Sequence, residues 1–164
     1  MTAAKIATCL WFDRDGEDAA TFYCSLIPGS RITAVSRYGK GDGLPGGMPD
    51  GLALLVEFEL GGVPFQALNG GPVYVQSEAA SIAVQCEDQA EVDRLWNALV
   101  GNGGQESMCG WCKDRFSVSW QIVPRAFAKM MASPDKAAVK RVFAAMMQMR
   151  KLDLATLERA FRGG

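Results

Sequence analysis

The two halves of this 164-residue chain repeat one pattern of secondary structure, and this repeat restricts the available folds more than any other feature of the sequence. A β-prone run at residues 6–12 precedes apolar residues at helical spacing within residues 19–27. The same order returns in the second half, with a β-prone run at residues 81–86 and apolar helical spacing within residues 92–100. The sequence therefore predicts two copies of a strand followed by a helix.

Further strands are predicted after each helix. In the first half they cover residues 31–38, 52–60 and 63–68, and in the second half residues 108–113 and 116–123. Both final strands contain Val-x-aromatic-Gln, ending at Gln66 and Gln121. We therefore predict an α+β fold of two strand–helix–strands modules, the second abbreviated because less chain separates its helix from its last strand.

The remaining chain is helical in pattern and rich in methionine. The expected helices cover residues 125–131, a segment from a Ser133 cap to Met149, and a segment from an Asp153 cap to Phe161. The methionines favour packing or a subunit interface. We divide the chain into a first module (1–75), a second module (76–124) and a C-terminal helical segment (125–164). The glycine-rich residues 39–51 join two strands, either as a plain connection or as a lid over a pocket.

Histidine is absent, which excludes Ser-His-Asp and Cys-His catalysis and every histidine-ligated metal site. The 17 basic and 18 acidic residues nearly balance, so neither nucleic acid nor an anionic membrane is an expected partner. No apolar run reaches the length of a transmembrane helix. Five scattered cysteines fit reduced thiols, and we expect a cytoplasmic protein.

Cys109 and Cys112 form a Cys-x-x-Cys motif, which is found in redox proteins. A redox pair needs its first cysteine at a helix N-terminus, whereas the alternating residues after Cys112 predict a strand. Residues three apart in a strand point to opposite faces, so we interpret these cysteines as buried or edge thiols. A zinc site would need partners with pair spacing, which Cys9, Cys24 and Cys86 lack.

Two pairs of polar strand residues are candidates for chemistry. Glu57 and Glu59 share one face of a strand, where they serve as an acid–base pair if that face lines a cavity, or contact water if it does not. Gln66 and Gln121 occupy equivalent places in the two modules. They either converge on one site or are ordinary polar residues of a sheet.

Several short sequence segments, which we call phrases, resemble the PhnB-like branch of the glyoxalase/bleomycin-resistance (vicinal oxygen chelate) superfamily. Members of this branch often carry the label 3-demethylubiquinone-9 3-methyltransferase. The phrases are CLWFD at 9–13, FY at 22–23, FQALNGGP at 65–72, CGW at 109–111, KDRF at 113–116, SWQIVP at 119–124 and KLD at 151–153. The resemblance covers nearly the whole chain. It implies paired βαβββ modules with curled sheets around a cavity, usually in a homodimer.

The resemblance also implies where metal-using relatives place their ligands. By motif position these fall near Ile6, Gln66, Ser81 and Gln121, which include neither histidine nor carboxylate. Neutral amides and a hydroxyl bind hard divalent cations weakly. We therefore expect a cavity without a metal or another cofactor.

The repeat and the resemblance together suggest a cavity that binds a small organic molecule through stacking and hydrogen bonds. Its expected lining residues are Thr8, Gln66, Asn69, Ser81, Trp111 and Gln121. One alternative is an enzyme, of the methyltransferase type or a lyase or isomerase using Glu57 or Glu59. The sequence lacks a nucleotide-binding motif for a methyl donor, which disfavours methyl transfer. The other alternative is a non-catalytic interaction module that uses the methionine-rich helices as its adhesive surface.

Overall fold

The computed structural model describes residues 5–40 and 47–164, which divide into a first unit ending at Gln76 and a second unit, Ser77–Gly164. The first unit contains β1 (Thr8–Phe12), α1 (Gly16–Leu26), β2 (Arg31–Arg37), β3 (Ala53–Leu60) and β4 (Val63–Asn69). The second contains β5 (Ile82–Cys86), α2 (Gln89–Val100), β6 (Gln105–Glu106), β7 (Trp111–Lys113), β8 (Ser119–Pro124), α3 (Arg125–Met131), α4 (Lys136–Met146) and α5 (Leu154–Arg162). Part of the glycine-rich loop considered as a lid, residues 41–46, lies outside the described residues.

The first unit is built on sheet A, in which the strands lie in the order β1-β4-β3-β2. β1 is parallel to β4, and β3 is antiparallel to both of its neighbours. Val56, Phe58 and Ala67 are buried on the face that carries α1. Helix and sheet approach closely, because a Cβ on Gly16 would lie 2.8 Å from the Asn69 side-chain oxygen. Glycine at the first position of α1 therefore allows the helix to sit directly on the sheet.

The second unit repeats this topology in sheet B, with the order β5-β8-β7-β6. Its β5 is parallel to β8, and β7 is antiparallel to both β8 and β6. β6 has 2 residues and β7 has 3, against 7 and 8 for the corresponding β2 and β3. The predicted α+β class, with two similar modules and an abbreviated second sheet, is therefore confirmed.

α2 packs its apolar stripe on sheet B. Leu95, Trp96 and Leu99 are buried, as the helical spacing predicts. Two side chains cap the start of α2, because Asp88 accepts the Glu91 N–H at 2.9 Å and the Glu91 carboxylate accepts the N–H of Glu87 at 2.9 Å. The helix start is thus fixed by its own side chains.

Helices α3 to α5 share a small core of their own. Met130, Val142, Leu152 and Leu157 are buried together. The Asp153 cap is confirmed by its 2.7 Å hydrogen bond from the Thr156 N–H. Among the described residues, none of the helices combines the length and the apolar character that a bilayer span requires.

Both predicted boundaries of the fourth helix are wrong. The fourth helix begins after Asp135, not at Ser133, because the Asp135 carboxylate accepts the N–H groups of Ala137 and Ala138 at 3.0 Å. It also ends at Met146 instead of Met149.

The last strand of the second module starts at Ser119 instead of residue 116, because the preceding residues form a turn around Asp114. The strand before it starts at Trp111 instead of residue 108, since Cys109 and Gly110 have φ values of 60° and 84° and make a tight turn.

Candidate functional site

Each sheet has one face toward its helix and one face pointing away from it, which we call the distal face. Side chains alternate along a strand, so the strand register assigns each residue to a face. In sheet A the distal face carries Glu57 and Gln66, which are cross-strand partners. In sheet B it carries Trp111, Lys113, Ser119 and Gln121.

Three of the predicted lining residues lie together at the distal face of sheet B. Trp111 is the cross-strand partner of Gln121. The side-chain amide of Gln121 donates to the Ser81 hydroxyl across 2.8 Å. All three side chains are half-buried. An aromatic surface, an amide and a hydroxyl are thus adjacent in one folded unit.

A cavity of about 140 Å³ adjoins this group. Its lining residues are Glu78, Gln105, Glu106, Ser107, Trp111, Cys112, Lys113 and Ser119. It is smaller than the ~300–1,000 Å³ of pockets that enclose a whole drug-sized ligand. The cavity has the size of a subsite for one functional group.

The polar groups of the cavity differ in how they are satisfied. Lys113 forms an ion pair with Glu78, and this hydrogen bond holds the pKa of Glu78 below its ordinary value. Glu106 accepts hydrogen bonds from Trp96 and Arg150, which lower its pKa. The hydroxyl of Ser119 is buried and has no hydrogen-bond partner among the described residues.

The other three predicted lining residues belong to sheet A. Gln66 is half-buried on the distal face and donates to Glu57 across 3.3 Å. Thr8 is exposed at the start of β1, and its register with Phe65 assigns it to the face that carries α1. Asn69 is fully buried on that same face. Thr8 and Asn69 therefore do not share a sheet face with Gln66.

Asn69 joins three parts of the first unit. Its side-chain oxygen accepts the Gly16 N–H at 2.8 Å, and its side-chain nitrogen donates to the Ala53 carbonyl at 2.8 Å. The hydroxyl of Tyr38 donates to its backbone carbonyl at 2.6 Å. These bonds satisfy one N–H at the start of α1 and account for an asparagine in the FQALNGGP phrase without a ligand.

The CGW and KLD phrases meet in the second unit. Cys109 and Gly110 donate their backbone N–H groups to the carbonyls of Met149 and Arg150, each at 2.7 Å. A Cβ on Gly110 would lie 2.9 Å from the Ile122 carbonyl oxygen and 3.1 Å from Leu152. The glycine thus provides room for Leu152. The turn that contains Gly110 can therefore bind the backbone of the segment between α4 and α5.

Cys109 and Cys112 lack the arrangement of a redox pair, because neither lies at a helix N-terminus. Burial raises the pKa of Cys112 from 9.0 to about 12, so this thiol stays protonated at neutral pH. Cys109 lies in the turn before β7 and contacts the Met147 sulfur at 3.7 Å. All five cysteines are described, and each is a free thiol.

Neither Glu57 nor Glu59 has the surroundings that an acid–base pair in a cavity requires. Glu57 is exposed, and Glu59 pairs with Arg31 at 2.7 Å. Val56, Phe58 and Leu60 occupy the buried face, as the alternative interpretation expected.

A metal centre does not fit the donors at the motif positions. Ile6 is 80% exposed and has no donor atom in its side chain, and Ser81 and Gln121 are uncharged and bonded to each other. In the described ranges, no group of three or more cysteine, aspartate or glutamate side chains is placed to hold a metal ion. Hard divalent ions need anionic oxygen ligands, so this donor set is unsuited to them.

Sequence reasoning missed Glu78, Lys113 and Ser119. A signal was present, because Ser119 and Gln121 are two apart in a strand and must share a face. Lys113 stands two residues after Trp111 and shares that face for the same reason.

The family model for 3-demethylubiquinone-9 3-methyltransferase matches residues 4–123. A comparison with curated proteins finds no significant match. Among solved structures, a PhnB protein from Bacillus cereus, provisionally named a 3-demethylubiquinone-9 3-methyltransferase, is 29% identical with a TM-score of 0.66; the alignment covers 74% of this chain and 99% of that one.

Two more distant structures show likeness of fold. A protein from Pseudomonas aeruginosa is 23% identical, with a TM-score of 0.58 and coverage of 72% of this chain and 95% of that one. A variant of the fosfomycin resistance protein FosX from Listeria monocytogenes, complexed with Mn(II) and a dihydroxypropylphosphonic acid, is 14% identical, with a TM-score of 0.51 and coverage of 73% and 90%.

The family model spans most of the chain, and the structure has the paired modules that the resemblance implied. The resemblance inferred from the sequence phrases is therefore confirmed. The chain belongs to the 3-demethylubiquinone-9 3-methyltransferase family, the PhnB-like branch of the glyoxalase superfamily.

Proposed function

We propose that this protein binds a small organic molecule, without a metal ion, at the distal face of sheet B. The observation that carries this proposal is the placement of Trp111 beside the hydrogen-bonded pair of Gln121 and Ser81, next to the 140 Å³ cavity. Binding sites combine an apolar or aromatic surface with a few convergent polar groups, and this face supplies both.

The polar pair has capacity left for a ligand. A side-chain amide has two N–H donors and two acceptor lone pairs, and the bond to Ser81 uses one N–H of Gln121. The half-buried indole of Trp111 supplies a stacking surface. A planar or partly apolar molecule with at least one polar substituent fits this combination.

The first unit contains the equivalent glutamine. Gln66 holds the position in sheet A that Gln121 holds in sheet B, and each lies in the strand that is parallel to the first strand of its module. Gln66 as a ligand contact stays a prediction. Thr8 and Asn69 also stay predictions as ligand contacts. The homodimer and the cytoplasmic location stay predictions too, and light scattering of the purified protein would measure its oligomeric state.

A thermal-shift screen tests the proposal. The panel contains aromatic acids, aromatic amides, quinones, S-adenosylmethionine and the divalent ions of manganese, nickel and zinc. A ligand at one hundred times its dissociation constant stabilises a protein by about 2.7 kcal/mol, which a shift in the unfolding temperature reveals. We expect stabilisation by an organic compound in the presence of a chelator.

Matched variants locate the binding. Gln121→Leu removes the amide at the proposed site, whereas Gln85→Leu makes the same change at an exposed residue of β5. We expect Gln121→Leu to weaken binding at least tenfold and Gln85→Leu to leave it unchanged. Equal effects of the two variants, or stabilisation that requires a metal ion, would refute the proposal.

A further inference from the structure

We propose that the cavity in the second unit is an oxyanion subsite, in which Lys113 and Ser119 bind a carboxylate, phosphate or sulfonate group of the ligand. This inference rests on the proposed ligand site and assigns a chemical class to the ligand. The remainder of the molecule would contact Trp111 and Gln121 on the same face.

Ser119 provides the first observation. The residue is 2% exposed and lines the cavity, and its hydroxyl has no hydrogen-bond partner in the described ranges. A buried hydroxyl without a partner is costly, and folded proteins rarely retain one without a reason. A bound acceptor in the cavity would complete its hydrogen bonding.

Lys113 provides the charge. It is the cross-strand partner of Ser119, so both residues belong to the distal face of sheet B. Its side chain is 28% exposed and holds the carboxylate of Glu78, which is 66% exposed. The ammonium group therefore already binds a carboxylate at this cavity. A ligand oxyanion would displace Glu78 toward solvent and gain the Ser119 hydroxyl as a second donor.

The other carboxylate in the cavity wall does not oppose an anion strongly. Glu106 accepts hydrogen bonds from the Trp96 indole at 3.1 Å and from Arg150 at 3.3 Å. Its register with Cys112 assigns it to the face of sheet B that carries α2. Arg150 thus balances the charge of Glu106, while the charge of Lys113 is available once Glu78 moves.

The size of the cavity fits the oxyanion group of a ligand. Its volume of about 140 Å³ accommodates a group as large as a carboxylate or phosphate, and it is well below the ~300–1,000 Å³ of pockets that enclose a drug-sized ligand. A ligand would therefore place its charged end here and extend along the strand toward Trp111.

The test compares benzoate, neutral benzamide and inorganic phosphate, each titrated into ¹⁵N-labelled protein. The indole N–H signal of Trp111, assigned by its loss in Trp111→Phe, reports binding. We expect benzoate to bind at least tenfold more tightly than benzamide, and phosphate to shift the same signal. The variants are Lys113→Met, Ser119→Ala and Glu78→Gln, and Lys129→Met is the control because Lys129 is exposed on α3.

We expect Lys113→Met to abolish the preference for benzoate over benzamide and Ser119→Ala to weaken benzoate binding severalfold. Glu78→Gln removes the competing carboxylate and should tighten benzoate binding severalfold, while Lys129→Met changes nothing. Well-dispersed indole signals of the buried Trp96 and Trp120 verify that each variant is folded.

Equal affinity for benzamide and benzoate, or an unchanged preference in Lys113→Met, overturns the oxyanion subsite and leaves the proposed ligand site intact. Weaker benzoate binding by Glu78→Gln also overturns it. If the whole panel of the thermal-shift screen leaves the Trp111 signal unmoved, both proposals fail.

Discussion

The buried carboxylate of Asp114 accepts the indole N–H of Trp120 across 2.8 Å. The other carboxylate oxygen accepts the backbone N–H groups of Phe116 and Val118, at 2.8 Å and 3.1 Å. One side chain therefore shapes the turn before β8 and fixes where that strand starts. β8 carries Ser119 and Gln121. Asp114 and Trp120, which belong to the KDRF and SWQIVP phrases, therefore help to position these two residues of the candidate site.

Asp114→Asn should destabilise the protein, because its amide places an N–H donor where the Trp120 indole needs an acceptor. We expect the free energy of unfolding to fall by about 2 kcal/mol in urea denaturation. Trp120→Phe removes the unmatched donor, so its cost should be about 1 kcal/mol smaller in the Asp114→Asn background than in the wild type. Additive costs would show that the two side chains are not coupled.

Asn69→Ala should cost about 2–3 kcal/mol of unfolding free energy. The substitution removes both side-chain hydrogen bonds and leaves the Gly16 N–H and the Ala53 carbonyl buried without these partners. The control is Asn97→Ala on the exposed side of α2, which should change stability by less than about 0.5 kcal/mol. Similar losses for the two variants would contradict the structural role given to Asn69.

Leu152→Ala should destabilise the protein by about 2–5 kcal/mol, since it opens a cavity in the core shared by α3, α4 and α5. Met147→Ala tests a neighbouring apolar residue that is 46% exposed, and we expect a loss below about 1 kcal/mol. Urea denaturation at one pH measures both variants. A loss at Leu152 no larger than that at Met147 would mean that the helices are not held by this core.

The two buried thiols predict the behaviour of the protein in alkali. Burial raises the pKa of Cys86 and Cys112 from 9.0 to about 12. Between these pH values the unfolded chain has lost thiol protons that the folded chain keeps, so stability should fall as the pH rises from 9 toward 12. Urea denaturation at a series of pH values measures this slope, which Cys86→Ala should reduce.

The same burial protects these thiols from alkylation. Iodoacetamide at neutral pH should modify the exposed Cys9 in the native protein and reach Cys86 and Cys112 only after unfolding, as mass spectrometry of peptides would show. Modification of Cys112 as fast as Cys9 would contradict the buried position of β7.

Much of the fold follows from local patterns in the sequence. The apolar spacing of residues 92–100 predicted α2 because this signal acts within a few residues. The start of β8 could not be predicted, since residues 116–118 alternate like a strand. The carboxylate of Asp114 binds their backbone and replaces the ladder hydrogen bonds that would have extended the strand.

The helix start at Asp135 was missed for a related reason. Ser133 and Asp135 are both good capping residues, and proline at position 134 favours a start after the serine. The structure gives the role to Asp135, while the Ser133 hydroxyl accepts the Asp135 N–H at 3.2 Å. Because both residues are suitable caps, the local sequence alone does not decide between them.

The candidate site was only partly visible in the sequence. Gln121 stood out because it repeats Gln66, and Trp111 and Ser81 followed from the family resemblance. Lys113 and Ser119 look like ordinary polar strand residues, and their importance depends on a cavity and a missing hydrogen-bond partner. Both are properties of the folded unit.

Ligand binding at the distal face of sheet B is measured by the response of the tryptophan indole N–H signals to an organic ligand that stabilises the protein in the thermal-shift screen. Trp120 is buried and donates to Asp114, which does not line the cavity, so its signal should stay in place. We predict that the signal of Trp111 shifts with ligand concentration in the wild type, and that Gln121→Leu needs at least tenfold more ligand for the same shift. An unmoved Trp111 signal in a protein that the ligand stabilises would contradict binding at the distal face of sheet B.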